Sequence, residues 1–173
     1  MLRQENVGAR SRAFFLKARV PVETDLSLIQ NERGNEMSEQ NNTAIVQQAY
    51  NHFKSGNLQS LLDQLSDDVT WQLPEMREVP LAGKRTGRNG VKEFFATLAR
   101  DQDLLEFEPR EFVAQRDKVV SLGDYRWRVK DTGREYASDF VHVFTVRDGK
   151  IVAFREHFDS AVVARAYQKA TSA

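Results

Sequence analysis

The sequence predicts an α+β fold in which a curved antiparallel sheet wraps, cone-like, around amino-terminal helices and leaves a pocket between sheet and helices. Two observations indicate this fold. The first half of the chain spaces its apolar residues as amphipathic helices do, whereas residues 119–158 alternate apolar and polar positions as strands do. Turn residues at Asp131-Thr132-Gly133 and at Asp148-Gly149 divide residues 119–158 into two consecutive hairpins.

The remaining elements follow in chain order. Asn42 or Thr43 is placed to cap a first helix, which Gly56 ends, and Asn57 is placed to cap a short second helix. The other predicted elements are a strand at 69–73, a helix through 91–98, a strand at 104–115, the two hairpins and a final helix at 161–167.

The amino-terminal region differs from the rest of the chain. We expect residues 1–41 to be a disordered or non-native extension and residues 42–170 to form one domain. Met37-Ser38-Glu39-Gln40 is typical of a bacterial amino terminus, so we expect Met37 rather than Met1 to be the native start. The intact mass of the natively expressed protein tests this expectation.

Composition excludes several classes of partner. Lys and Arg together number 25, as do Asp and Glu, so no global charge favours nucleic acid or an anionic membrane. There is no cysteine, and the three histidines fall on different predicted elements, so we expect no metal site and no cofactor. No apolar run is long enough to span a bilayer, and we expect a cytoplasmic protein.

The first hairpin determines which residues face the pocket. Odd-numbered residues from Val119 to Val129 form the apolar face, and even-numbered residues from 124 to 130 are charged. A loop of two or four residues gives the same parity, with Tyr125 near Phe140 and Trp127 near Ser138. Both loops place Phe140 and His142 inside.

The turn of the second hairpin allows two registers. A tight Asp148-Gly149 turn pairs Arg147 with Lys150 and places His142 on the same face as Arg155. A three-residue loop with a bulge at Gly149 pairs Val146 with Lys150 and places His142 with Glu156. We favour the second register because it gives the inner face aromatic residues and keeps Arg155 outside.

Three polar residues then meet among aromatic rings, and these are the predicted catalytic residues: Glu156, His142 and Tyr125. A buried carboxylate is costly unless it is paired or neutral, so we expect Glu156 to be hydrogen-bonded or protonated. Such groups in apolar clefts are candidate acid–base catalysts. The alternative is that Glu156 and His142 only satisfy each other in the core. The predicted ligand-binding residues are Trp71, Trp127, Phe140, Phe154 and Phe158.

Several segments together resemble the nuclear transport factor 2-like superfamily, in particular its SnoaL-like and ketosteroid isomerase-related branch. They are the helix 44–56, the run Ser66-Asp67-Asp68-Val69-Thr70-Trp71, the loop Gly87-Arg88-Asn89-Gly90-Val91, and the run from Asp139 to Asp159. The resemblance covers about Thr43 to Tyr167 and implies a cystatin-like α+β barrel. Because this superfamily holds enzymes, binding modules and scaffolds, the resemblance is specific for fold.

The resemblance also implies roles for single residues. Cyclase-like and epoxide hydrolase-like relatives carry a cavity aspartate on the last strand, which aligns with Glu156. The other polar residues of the epoxide hydrolase fall on Gly123, Tyr125, Trp71 and Leu73, and the base of ketosteroid isomerase has no counterpart at Trp71 or Leu73.

Two functions therefore remain. In the first, Glu156 transfers a proton at a small apolar substrate, His142 orients it, and Tyr125 donates to a developing oxyanion. In the second, the pocket binds a small apolar molecule without catalysis, and the domain works as a homodimer through the outer sheet face.

Overall fold

The computed structural model describes residues 26–77 and 79–169. Its helices are α1 (Leu26–Lys54), α2 (Leu58–Asp63), α3 (Gly87–Asp101) and α4 (Ser160–Tyr167). Its strands are β1 (Leu65–Gln72), β2 (Lys84–Thr86), β3 (Gln102–Gln115), β4 (Lys118–Val129), β5 (Glu135–Arg147) and β6 (Lys150–Phe158). The strands form one curved, unclosed sheet in the order β2-β1-β6-β5-β4-β3. The predicted α+β fold is confirmed.

One pair of neighbouring strands departs from the predicted antiparallel arrangement. β1 runs parallel to β6, with Trp71 opposite Phe154, whereas the other neighbouring strands are antiparallel. A parallel pair requires a long connection, and four strands and α3 lie between β1 and β6 in the chain. No tight turn therefore imposes an antiparallel pairing on these two strands. None of the helices in the described residues is long and apolar enough to cross a lipid bilayer.

Helix α1 begins earlier than the sequence predicts. Asn42 and Thr43 lie inside α1 rather than at its cap, and residues 26–41 continue the same helix. The Thr43 hydroxyl donates to the carbonyl oxygen of Glu39 (2.9 Å), and the Asn42 amide donates to the carbonyl oxygen of Arg116 (2.9 Å). Asn42 is thus used to anchor the β3–β4 turn. The division of the chain after residue 41 stays a prediction, and residues 1–25 lie outside the described residues.

The first hairpin has the predicted faces but different partners. Because its connection has four residues, 130–133, Tyr125 lies opposite Ser138 and Trp127 opposite Tyr136, two positions from the predicted partners. A shift of two positions preserves which face each side chain occupies. Tyr125, Trp127 and Phe140 are therefore buried, as predicted.

The second hairpin uses the turn that we did not favour. Arg147 pairs with Lys150, and both Asp148 (φ 50°) and Gly149 (φ 72°) adopt the left-handed conformation, as a tight type I′ turn requires. The predicted turn is wrong. Asp148 tolerates this conformation because its short polar side chain makes it one of the few residues after glycine to do so.

The faces of this hairpin are nevertheless the predicted ones. The register shifts between Thr145 and Val146, which lie opposite Ala153 and Ile151, so Val152 is an extra residue in β6. A bulge of one residue reverses the facing of everything beyond it. The bulge therefore lies a few residues beyond the predicted site, and it brings His142 directly opposite Glu156.

Candidate functional site

A cavity lies between the inner face of the sheet and the helices α1, α2 and α3. The cavity has a volume of about 100 Å³, several times the roughly 10–15 Å³ that one water molecule needs. Its walls are mainly aliphatic and aromatic. The polar and ionisable side chains among the lining residues are Tyr50, Gln102, Tyr125, Tyr136, His142 and Glu156.

Glu156 and His142 meet at the wall of this cavity. They are direct cross-strand neighbours, and Glu156 Oε1 lies 3.2 Å from His142 Nε2. Both side chains are almost buried, with 11% and 7% of their surface exposed. His142 Nε2 has no aligned hydrogen bond within the described residues, so the contact is close but its angle is poor. The two side chains are therefore in contact without a well-aligned hydrogen bond between them.

The Nδ1 edge of the imidazole contacts helix α1. The Tyr50 hydroxyl lies 2.8 Å from His142 Nδ1. The Phe140 ring stacks on the imidazole at 4.0 Å between centroids, and Phe154 meets it edge-on at 5.0 Å. One hydrogen bond and two ring contacts thus fix the orientation of His142, which is the arrangement that a positioned acid–base group requires.

Two phenols near Glu156 are kept neutral. Burial raises the pKa of Tyr125, and the negative charge of Glu156 raises it further. Burial also raises the pKa of Tyr50, with a smaller contribution from Glu156, while a contact with Ser121 opposes the rise. Both hydroxyls therefore retain their protons well above neutral pH, which suits hydrogen-bond donors rather than phenolate bases.

The predicted ligand-binding residues fall into two groups. Trp71, Trp127, Phe154 and Phe158 line the cavity. Phe140 is not among the lining residues, because its ring stacks against His142 on one side and Tyr125 on the other. Phe140 therefore supports the site from behind, and its assignment as a ligand contact stays a prediction.

Sequence reasoning missed three polar residues of this cavity. Tyr50 lies in the apolar stripe of α1, and that pattern by itself indicates only a core residue. Tyr136 donates to Gln102 Oε1 (2.6 Å), and Gln102 Nε2 donates to the Tyr167 hydroxyl (2.7 Å), which links β5, β3 and α4. Extending the inner-face parity of β5 back from Phe140 would have found Tyr136. No local signal indicates Gln102.

The close packing at Gly123, a position that aligns with a polar residue of the epoxide hydrolase, excludes any larger side chain. A Cβ atom at Gly123 would lie 2.5 Å from Phe140 Cζ and 2.9 Å from Pro109 Cα, and still closer to the carbonyl oxygen of Glu108. Any side chain at this position would displace β3 or Phe140. Within residues 26–77 and 79–169, no group of three or more His, Asp or Glu residues is arranged to hold a metal ion.

Known proteins share both the sequence pattern and the fold. The family model of the SnoaL-like domain matches residues 46–154. An NTF2-like protein from Burkholderia xenovorans is 32% identical, with a TM-score of 0.71 over 76% of this chain and 99% of its own. A second, from Burkholderia pseudomallei, is 30% identical, with a TM-score of 0.67 over 74% of this chain and 98% of its own.

A further solved structure carries a ligand. TerC, co-crystallised with polyporic acid, is 30% identical, with a TM-score of 0.62 over 73% of this chain and 98% of its own. No curated protein matches the sequence. Since the family model spans well over half of the chain and these structures share its fold, the chain belongs to the SnoaL-like domain family of the nuclear transport factor 2-like superfamily.

Proposed function

We propose that this protein is an acid–base catalyst of the isomerase, cyclase or hydrolase type, acting on a small, largely apolar carbonyl compound. The observation that supports this proposal is a carboxylate, Glu156, set in the wall of an apolar cavity against an oriented imidazole, His142. Ionisable groups held this way in an apolar cleft are the usual means of proton transfer in enzymes.

The roles follow from the contacts. In this proposal the Tyr50 hydroxyl, which burial keeps protonated, donates to His142 Nδ1, and Nε2 of the same ring faces Glu156. Glu156 removes a proton from the carbon next to the substrate carbonyl. The electron pair of that C–H bond forms a carbon–carbon double bond, and the π pair of the carbonyl group moves to its oxygen as an oxyanion, to which Tyr125 donates its hydrogen bond. The proton on Glu156 then returns to the substrate at the same or another atom.

Exchange of substrate protons with solvent tests the first step without knowledge of the natural substrate. Acetophenone in D₂O loses its methyl proton signal by NMR when a base removes and returns those protons. We expect the protein to accelerate this exchange, and Glu156→Gln to slow it by about 10²–10⁴-fold, the usual contribution of a general base. The cavity would keep its affinity for acetophenone because glutamine has nearly the same shape.

Glu111→Gln is the matched control. Glu111 is exposed on β3 and makes no ion pair or side-chain hydrogen bond with the described residues, so the same chemical change there should leave exchange unaltered. The proposal is wrong if Glu156→Gln exchanges acetophenone protons as fast as the unaltered protein, or if no exchange exceeds the buffer rate although acetophenone binds.

The second candidate is a binding module without catalysis. Two observations favour it: Glu156 is in direct contact with His142, and the cavity is smaller than the roughly 300–1,000 Å³ of typical ligand pockets. The relative TerC, co-crystallised with polyporic acid, supports ligand binding. Calorimetric titration with polyporic acid and acetophenone tests this candidate. Binding without proton exchange favours it over catalysis.

We also propose a homodimer through the outer face of β3, β4 and β5. Val113 is 59% exposed and Leu122 is 36% exposed on this face, which makes them the kind of apolar surface that partners cover. Leu122→Glu should convert a dimer to a monomer in sedimentation equilibrium at micromolar concentration. If the unaltered protein is already monomeric there, this proposal is wrong.

A further inference from the structure

The indole of Trp71 packs among aromatic rings in the wall of the cavity. It is 6% exposed and stacks on Phe154 with 3.9 Å between centroids and 22° between planes. Phe94 and Phe95, both on α3, pack against it at 5.9 and 5.6 Å. Three aromatic contacts therefore restrict the orientation of the indole.

That N–H has no partner within the part of the chain that the structure describes. Nε1 of Trp71 is buried, with less than 1 Å² exposed, and makes no hydrogen bond. A buried indole N–H usually finds an acceptor, because leaving it unpaired costs free energy. Trp71 is also a lining residue of the cavity. Because almost none of Nε1 is accessible to a water-sized atom, a ligand oxygen reaches it only after the indole or a neighbouring side chain shifts. A ligand that fills the cavity is the natural source of the missing acceptor.

The position of Trp71 relative to Glu156 defines where that acceptor lies. Trp71 pairs with Phe154 across the parallel β1–β6 pair. Glu156 lies two residues further along the same face of β6, about 7 Å from Phe154 along the strand. Tyr125 lies on β4, on the other side of β6 in the sheet order. The strands that carry Trp71 and Tyr125 therefore lie on opposite sides of β6, the strand that carries Glu156.

We propose that Trp71 is a ligand-binding donor whose Nε1–H binds an oxygen acceptor of a small, ring-containing molecule, on the side of Glu156 opposite Tyr125. The indole N–H can donate but cannot accept, so it selects a carbonyl or ether oxygen and rejects a hydrocarbon of the same shape. This inference rests on the proposed function in so far as the same cavity holds the ligand. It adds a second polar contact to the one that Tyr125 makes.

Indole NMR signals test the proposal directly, because the protein has only two tryptophans, Trp71 and Trp127. In ¹⁵N-labelled protein, acetophenone should move the Trp71 indole proton downfield. Ethylbenzene, which has the same shape without the oxygen, should not move it downfield. Trp127→Phe assigns the two signals.

Affinities of two variants give a second test. Trp71→Phe retains an aromatic ring against Phe154 and removes the donor, so it should weaken acetophenone binding about three- to tenfold relative to ethylbenzene binding. Trp127→Phe, the matched control, should change both affinities alike.

The proposal is overturned if acetophenone binds but moves the Trp71 indole no more than ethylbenzene does, or if Trp71→Phe weakens both ligands equally. Failure of the proposed catalysis looks different, because the Trp71 indole would shift while acetophenone protons fail to exchange. If neither probe binds in the cavity, both proposals are wrong.

Discussion

Gly123→Ala should damage the fold and the site together, because β3 and Phe140 approach Gly123 more closely than any side chain allows. The added Cβ would lie 2.5 Å from Phe140 Cζ and 2.9 Å from Pro109 Cα, and would also meet the carbonyl oxygen of Glu108. Two of these three atoms belong to the backbone of β3, so no side-chain rotation relieves the contact. Overpacking typically costs 1–3 kcal/mol, and we expect about 3 kcal/mol here.

Thermal unfolding by circular dichroism measures this loss, which for a chain of this size lowers Tm by about 6–12 °C. Phe140 stacks on His142, so the imidazole signals of His142 should also shift in NMR spectra. Gly90→Ala is the matched control, since its Cβ would meet Arg85 Cβ at 3.5 Å, an ordinary contact, and alanine favours helix α3. A Tm for Gly123→Ala equal to that of the unaltered protein would refute the packing argument.

Three further predictions concern the buried hydroxyls and the α1 anchor. Tyr50→Phe leaves His142 Nδ1 without its partner and should lower the free energy of unfolding by about 1–3 kcal/mol. The substitution should also slow acetophenone exchange more than it weakens acetophenone binding. Equal effects on exchange and binding would contradict an orienting role for Tyr50. The raised pKa values of Tyr50, Tyr125 and Tyr136 mean that the folded chain keeps phenolic protons that the unfolded chain loses above pH about 10. The free energy of unfolding should therefore fall above pH 10 by about 1.4 kcal/mol per pH unit for each of these tyrosines. Phenolate absorbance should rise together with unfolding. Ionisation of the folded protein near pH 10 would refute this prediction. Glu39→Ala removes the carboxylate that accepts from Arg116 N (2.8 Å) and should lower the free energy of unfolding in urea by about 1 kcal/mol. Glu36→Ala, one turn earlier and exposed, is the control and should cause no measurable loss. Equal losses would show that α1 is not anchored at Glu39.

The inner face of the sheet was predictable because alternation along a strand is a local property. Apolar side chains at every second residue of β4 indicate the buried face without knowledge of any partner strand. The aromatic run of β5 and β6 indicates the same face for Phe140, His142 and Phe154. The meeting of His142 and Glu156 needs this parity and also the bulge at Val152, which compensates for the wrongly predicted turn.

The location of the bulge was not predictable from the turn residues. Asp148-Gly149 is compatible with a tight turn or with a longer bulged loop, and the free energies of these turns differ little. β6 pairs with β5 on one side and with β1 on the other, and the register shifts on both sides near Val152. Pairing on both sides exists only after three strands have assembled.

The role of Tyr50 was hidden for a related reason. At its position in the amphipathic stripe of α1 a tyrosine packs like any aromatic core residue, and its ring does pack against Phe107 and Phe144. Its hydroxyl partner, His142, is 92 residues away in the chain. Trp71 is a similar case, since the sequence indicates that it faces inward but not that its N–H has no partner among the described residues.

The sequence by itself determined the α+β class and the inward facing of Tyr125 and His142, because apolar periodicity and residue type are carried by each segment alone. Only the tertiary structure decided the parallel β1–β6 pair, the bulge at Val152, the hydrogen bond from Tyr50 and the unpaired indole of Trp71. Each of these depends on distances between segments far apart in the chain, and such distances are established only when the whole sheet packs against the helices.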